Sequence, residues 1–243
     1  MELEGKVALI TGGARIGRTV ATTLAARGCN LALTYRTSQK IAEATIAEAA
    51  RYGVRTIALQ VDATDEARVA EVVDEVVGSL GRLDILINMA SVYQKTPNPS
   101  RQDWSRAMEV NATSAFLFAI KAAPAMKRAG AGRIINVSDW LAASGRPRYK
   151  GYLAYYASKG ALNALTESLA LELAPEILVN AIAPGPIMPP PDLSPEENAR
   201  VIEATPLRRW GGAEEIAKAV IFLIETDFVT GECIRVDGGR HLY

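Results

Sequence analysis

The chain has 243 residues, 49% of them hydrophobic, with 27 basic side chains against 27 acidic ones. That length suits one large α/β domain with a full core, and the even charge leaves no electrostatic footprint for nucleic acid. Cys29 and Cys233 are only two and far apart in the chain, which gives no metal spacing and no disulfide framework, and no apolar run reaches the ~20 residues of a membrane span.

The first residues run straight into an apolar stretch, so a cytoplasmic protein without a leader segment is expected. Lys6–Thr11 is a short continuous apolar run, as a strand buried on both faces should be. Gly12, Gly13, Ala14, Arg15, Ile16 and Gly17 follow, then an amphipathic helix to Arg27. Strand, glycine turn and helix in that order can offer backbone N–H groups to a pyrophosphate. Asn30–Tyr35 is a second strand, ending in Arg36, Thr37 and Ser38. A residue at that place meets the adenosine ribose in dinucleotide-binding folds. An acid there suits a 2′-hydroxyl, whereas one cation and two hydroxyls suit a 2′-phosphate, so NADPH is favoured over NADH.

The pattern then repeats. Ser38–Arg51 reads as a helix, and Thr56–Val61 as a strand ending at Asp62 and Ala63, placed to touch the adenine edge. Asp65–Leu80 is a helix, and Leu83–Asn88 a strand ending in Asn88, Met89, Ala90 and Ser91. Ser100–Arg128 is a long helical region containing Asn111. Ile134–Val137 is a strand running into Ser138 and Asp139. A loop of Gly, Pro and Arg separates it from a helix over Tyr152–Leu173. Leu178–Ala183 is a strand stopped by Pro184, Gly185 and Pro186; Ala213–Glu225 is a helix and Glu232–Val236 a last strand. Strands alternating with helices imply one doubly wound parallel sheet, a Rossmann fold of about seven strands with helices on both faces. No linker divides the chain, so residues 1–243 are read as a single domain with the ligand at the strands' carboxyl ends. Gly12, Arg36, Asp62, Asn88, Asp139 and Pro184–Gly185 all fall at those ends.

Tyr155 and Lys159 are four residues apart and share one helix face. A phenol has a pKa of about 10, and a nearby ammonium lowers it, making a proton donor for a substrate that gains charge. The segment Pro184–Pro195 is too rich in proline for helix interior. It reads either as a substrate lid carrying Met188 or as a rigid surface connection. Leu162, Leu165, Leu169 and Leu173 form a stripe at helical spacing that suits core.

The ordered set Thr11–Gly17, Asp62–Ala63, Asn88–Ser91, Asn111, Tyr155–Lys159, Pro184–Ile187 and Thr230–Gly239 resembles the short-chain dehydrogenase/reductase family along essentially the whole chain. The resemblance implies a nicotinamide cofactor, hydride transfer and an Asn111–Tyr155–Lys159 apparatus. In it the lysine holds the nicotinamide ribose and lowers the tyrosine pKa, and the asparagine positions a water. It places Ala90, Ser91 and Ile187 with the cofactor residues, implies a homotetramer, and suggests that the tail Arg240–Tyr243 approaches a neighbouring pocket. Two departures stand out: Asp139 where the family has serine, and Arg15 in a glycine turn one residue short. With Ser91, Tyr93 and the ending Asp237–Tyr243, they resemble the pteridine reductase branch. There Asp139 and Tyr155 would flank a pterin or folate, Arg15 would contact phosphate and pterin, and Tyr93 would stack on the ring.

An ionised carboxylate accepts hydrogen bonds and does not donate them. Beside a carbonyl oxygen gaining charge it opposes the transition state; beside an amino-pterin edge it fits. Asp139 therefore favours C=N reduction by NADPH, of dihydropterins or dihydrofolate. The alternatives are a carbonyl reductase of 3-oxoacyl or sugar ketones, and a non-catalytic NADPH sensor. Locally, Asp139 could instead cap its loop while Ser138 serves the substrate, Tyr93 could be an ordinary loop tyrosine, and Trp140 is a second stacking platform.

Overall fold

The computed structural model describes residues 1–13 and 15–242; Ala14 and Tyr243, both part of motifs quoted above, lie outside the described residues. Seven parallel strands form one sheet in the order β3-β2-β1-β4-β5-β6-β7. They are β1 (Val7–Thr11), β2 (Asn30–Tyr35), β3 (Thr56–Gln60), β4 (Ile85–Asn88), β5 (Gly132–Val137), β6 (Ile177–Pro184) and β7 (Cys233–Val236). The helices are α1 (Ile16–Ala25), α2 (Gln39–Ala50), α3 (Glu66–Leu80), α4 (Arg101–Met108), α5 (Ser114–Arg128), α6 (Trp140–Ser144), α7 (Leu153–Leu173), α8 (Pro195–Glu203) and α9 (Ala213–Glu225). This is the doubly wound sheet expected from the alternation of elements.

The apolar run of β1 is buried at all five positions because helices cover both faces. Ala8 and Ile10 pack with Val20 and Leu24 of α1, Ala42 of α2 and Val220 of α9. Val7 and Leu9 face the other way, toward Val72 of α3, Phe118 and Met126 of α5 and Leu169 of α7. The period of two in a strand thus feeds two separate cores from one short segment. Leu162 and Leu169 are buried, and Leu165 and Leu173 pack at the margin of the second core.

The long helical region is not uniform. Between α4 and α5 lies one π-turn, Glu109–Thr113, where the Ser114 N–H reaches back five residues to the Glu109 carbonyl. The segment expected as a Gly/Pro/Arg loop contains α6, and α8 follows the proline-rich loop, with Pro195 at its first turn and a capping box from Ser194 to Glu197. No described helix is long and apolar enough to cross a membrane, and no described cluster of acids, histidines or cysteines could hold a metal.

Candidate active site

The strand order reverses between β1 and β4, and their carboxyl ends open into a cleft of about 590 Å³. Its first half is built by glycine. Gly12 has φ +68°, and a Cβ there would lie 2.9 Å from Ala90 Cα, so the turn and the loop after β4 meet backbone to backbone. A Cβ on Gly13 would lie 3.0 Å from Gly17 Cα. Thr11 ties the two together, its hydroxyl accepting from Met89 N–H at 3.2 Å and Ala90 N–H at 3.3 Å. Gly17 itself is packed inside α1.

At the far end Arg36 and Asp62 line the cleft, Nη1 to Oδ2 at 3.9 Å. The N–H and hydroxyl of Thr64 both donate to Asp62 Oδ1. They hold this carboxyl below its ordinary pKa, with Arg36 a lesser contributor. Thr37 and Ser38 border an adjoining hollow of about 100 Å³ with Arg36.

The other half gathers the ionisable groups Asp139, Tyr155 and Lys159. Asp139 ends β5 and caps α6. Its Oδ1 accepts from Leu141 N–H at 2.8 Å, and its Oδ2 accepts from the Tyr155 hydroxyl at 3.0 Å. One oxygen thus caps the helix and the other meets the phenol. Ser138 turns the other way, and its hydroxyl donates to Asn163 of α7. Alternation along the strand end separates them: neighbouring side chains leave on opposite sides.

Lys159 is 2% exposed, with its ammonium donating to the Val137 carbonyl at 2.7 Å. It lies 5.9 Å from the centre of the Tyr155 ring and makes no hydrogen bond to the phenol. Burial pulls the Lys159 pKa down to about 8, opposed by the Asp139 charge. Tyr155 moves well above the usual phenol value, first by burial and then because Asp139 is its neighbour. Asp139 is raised by burial; the Leu141 N–H, the Tyr155 hydroxyl and the Lys159 charge act against this in that order. The expectation that the lysine lowers the phenol pKa does not match this arrangement. The group touching the phenol is a carboxylate, and the ammonium is committed to a backbone oxygen.

Asn111 sits in the π-turn with its side chain fully occupied. Oδ1 accepts from Val92 N–H and Ser91 Oγ, while Nδ2 donates to the Val92 carbonyl and Ser158 Oγ, all within 2.8–3.1 Å. It clamps the β4 loop to α7 rather than facing the cleft.

On the open side, Tyr93 is 61% exposed and stacks on Tyr152 at 4.8 Å with its edge relation to Tyr155 at the same distance. Arg15 Nη2 donates to the Pro189 carbonyl at 3.0 Å and so ties the glycine turn to the proline-rich loop. Met188 on that loop is exposed but does not line the cleft, and Ile187 is buried beneath it. Asn88 is also buried, donating to Asn136 Oδ1 at 2.9 Å. Gly12, Arg15, Ile16, Arg36, Asp62, Ala63, Ala90, Ser91, Tyr93, Asp139, Tyr155, Lys159, Pro184 and Gly185 share the one cleft, while Gly17, Asn88, Asn111, Ile187 and Met188 support or flank it. Met89, Val92, Val110 and Val137 also line it; of these, Val92, Val110 and Val137 are apolar residues that no charge or motif singles out.

A dinucleotide fits this donor set. A turn with no Cβ beside backbone N–H groups suits a pyrophosphate, Arg36 suits a phosphate, and the buried lysine suits a ribose.

The model for the enoyl-(acyl carrier protein) reductase family matches residues 13–241. A 3-oxoacyl-[acyl-carrier-protein] reductase FabG of Staphylococcus aureus is 37% identical, covering 98% of both chains. A short-chain type dehydrogenase/reductase of Picea abies is 34% identical over 98% of this chain and 93% of its own. Among solved structures, a mutant short-chain dehydrogenase/reductase of Serratia marcescens superposes with a TM-score of 0.91 at 33% identity, covering 99% of this chain and 100% of its own. A blue fluorescent protein from a metagenomic library, in complex with NADPH, gives 0.90 at 34% identity with 99% of each chain covered. The chain belongs to the short-chain dehydrogenase/reductase family, and it is an oxidoreductase of nicotinamide type acting on a small molecule.

Proposed function

We propose that this protein is an NADPH-dependent reductase of a C=N bond in dihydropterins or dihydrofolate, forming the tetrahydro product. One observation carries this: the Asp139 carboxylate is held against the Tyr155 hydroxyl at the place where the family resemblance puts an alcohol. Reduced nicotinamide, when bound, supplies the hydride. The protein must then supply one proton to the ring nitrogen, and it must bind a face rich in N–H donors. The Tyr155 hydroxyl is protonated at neutral pH and can donate; Asp139, whose pKa burial raises, can then take up a proton from solvent and pass it to the phenolate. The second carboxylate oxygen also has lone pairs left to accept an amino group. The ammonium of Lys159 offsets the charge of the buried pair and keeps the site near neutrality.

Arg36 supports the preference for NADPH, and the glycine turn supports pyrophosphate binding. Exposed Phe116, Ile120 and Leu171 on α5 and α7 support an oligomer built on those helices, a homotetramer in our reading.

A second reading has its own support. The curated relatives are named for ketone reduction, at 37% identity for the Staphylococcus aureus protein, and on names alone a carbonyl reductase is favoured. The chain's own carboxylate argues the other way. NADPH oxidation with dihydrobiopterin, dihydrofolate and a panel of 3-oxoacyl thioesters and sugar ketones separates them. Turnover of pterins supports our reading. Turnover of ketones alone establishes the carbonyl reductase, and tight NADPH binding without turnover of any of them would indicate a sensor.

A further inference from the structure

Next to Asp139 in the chain, Trp140 gathers a group of cations that the proposed chemistry does not use. Trp140, the next residue, is buried, and two guanidiniums lie over its ring: Arg148 at 5.5 Å and Arg240 at 5.8 Å from the centre. Tyr149 meets the same ring edge-on, with centroids 6.4 Å apart. Arg148 follows α6, and Arg240 opens the 3₁₀ turn after β7, Arg240–Leu242. The strand order puts both on the β5–β7 side, away from the half that suits a dinucleotide.

These arginines have donors to spare. A guanidinium carries five N–H groups. Arg148 Nη2 donates to the His241 carbonyl at 3.1 Å, and Arg240 Nη2 donates to the Tyr149 hydroxyl at 3.4 Å. Arg148 Nε is buried without a partner. Among the described residues, no ion pair involves Arg148, Arg240, or the neighbouring Arg146 and Lys150. The nearby Asp237 carboxylate is taken up by Gly239 N–H, His241 N–H and His241 Nδ1.

Stacking on indole holds a long cation in place, so less freedom is lost when an anion binds. Each guanidinium is a planar fork that matches the bidentate geometry of carboxylate or phosphate. We infer that Arg148 and Arg240, anchored on Trp140, form an anion subsite that holds the carboxylate tail of a folate-type substrate. The inference rests on the pterin reading and narrows it: the preferred dihydropterin carries a charged tail.

The tail alone tests the subsite without turnover. Calorimetric titration of the NADP-loaded protein with 4-aminobenzoyl-glutamate should show saturable binding that weakens with added salt. Arg148→Gln and Arg240→Gln should each weaken it by about tenfold, the value of one charge-assisted hydrogen bond. Arg240→Lys, which keeps the charge, should lose less, and wild-type melting temperatures establish that each variant has folded. In turnover, the ratio of KM for dihydrofolate to KM for dihydrobiopterin should rise about tenfold in each Gln variant. No tail binding, or binding that both Gln variants retain, overturns the subsite. Displacement of the tail by equimolar inorganic phosphate overturns the carboxylate assignment. Failure of bare dihydrobiopterin as a substrate counts against the reductase reading alone, because the titration still decides the subsite.

Discussion

The Tyr155 hydroxyl donates to one oxygen of Asp139 at 3.0 Å, while the other oxygen accepts the Leu141 N–H at 2.8 Å. One side chain therefore fixes the entry of α6 and meets the phenol. Burial and the carboxylate both push the Tyr155 pKa up, so the phenol rests as a donor.

Asp139→Ser separates those two jobs. Serine also caps helices, so α6 should survive and the melting temperature should change little. The charge-assisted bond to the phenol is lost, worth ~1.5–3 kcal/mol. Dihydropterin kcat/KM should fall about tenfold to a hundredfold, with NADPH affinity near wild type and ketone turnover improved. Unchanged pterin rates would show that the carboxylate only caps.

The pKa of Lys159, about 8, gives activity an alkaline limit. Its ammonium is present below that pH and lost above it, so kcat/KM should decline as pH rises through about 8. Lys159→Arg, always charged, should remove that limb from the profile whatever its absolute rate.

Stability should move the opposite way. Unfolded lysine titrates at about 10.4, so the folded state binds its proton less tightly than the unfolded chain. The penalty is complete below about pH 8 and is relieved between there and 10.4, where the unfolded state holds more protons. The melting temperature of Lys159→Met relative to wild type should be highest near pH 7 and fall toward wild type by pH 10. A difference that is constant with pH would contradict the buried charge.

Gly12→Ala should damage fold and cofactor site together. The left-handed φ of +68° costs a side chain ~1–2 kcal/mol, and its Cβ would meet Ala90 Cα at 2.9 Å. Thermal melting should drop by several degrees and NADPH Kd should rise at least about tenfold. An unaffected Kd would show that the turn is remote from the phosphates.

Arg36→Ala should weaken NADPH about tenfold or more through loss of a charge-assisted contact, and leave NADH nearly unchanged. Equal effects on both would mean that Arg36 serves only Asp62, 3.9 Å away.

Most of the sheet was legible because buried parallel strands read as short apolar runs. Val7–Thr11 and Ile85–Asn88 are such runs, and the residues following them are the ones that bound the cleft. The sequence also carries the signal for α8: Ser194 and Glu197 have the spacing of a capping box, with Pro195 at the first helical position. The five residues of α6 are too few to show a period; that helix depends on the Asp139 cap. Other features are non-local. Spacing puts Tyr155 and Lys159 on one helix face, yet says nothing of the Val137 carbonyl that the ammonium reaches, or of the carboxylate that the phenol meets. Asn111 looked like a site residue on resemblance, and its four bonds to the β4 loop and α7 appear only once those elements are packed.

The wide turn at Glu109–Thr113 gives the long helix one residue more than a regular spiral would hold. Deleting a single residue there would close the wide turn into regular helix and leave the phase of α5 unchanged. Phe118, Ala119, Ala122 and Met126 would stay in the second core, while Asn111 would lose the position from which it holds Val92. The extra residue thus serves the clamp and not the core, and a shortened version should keep its fold while the segment after β4 comes loose.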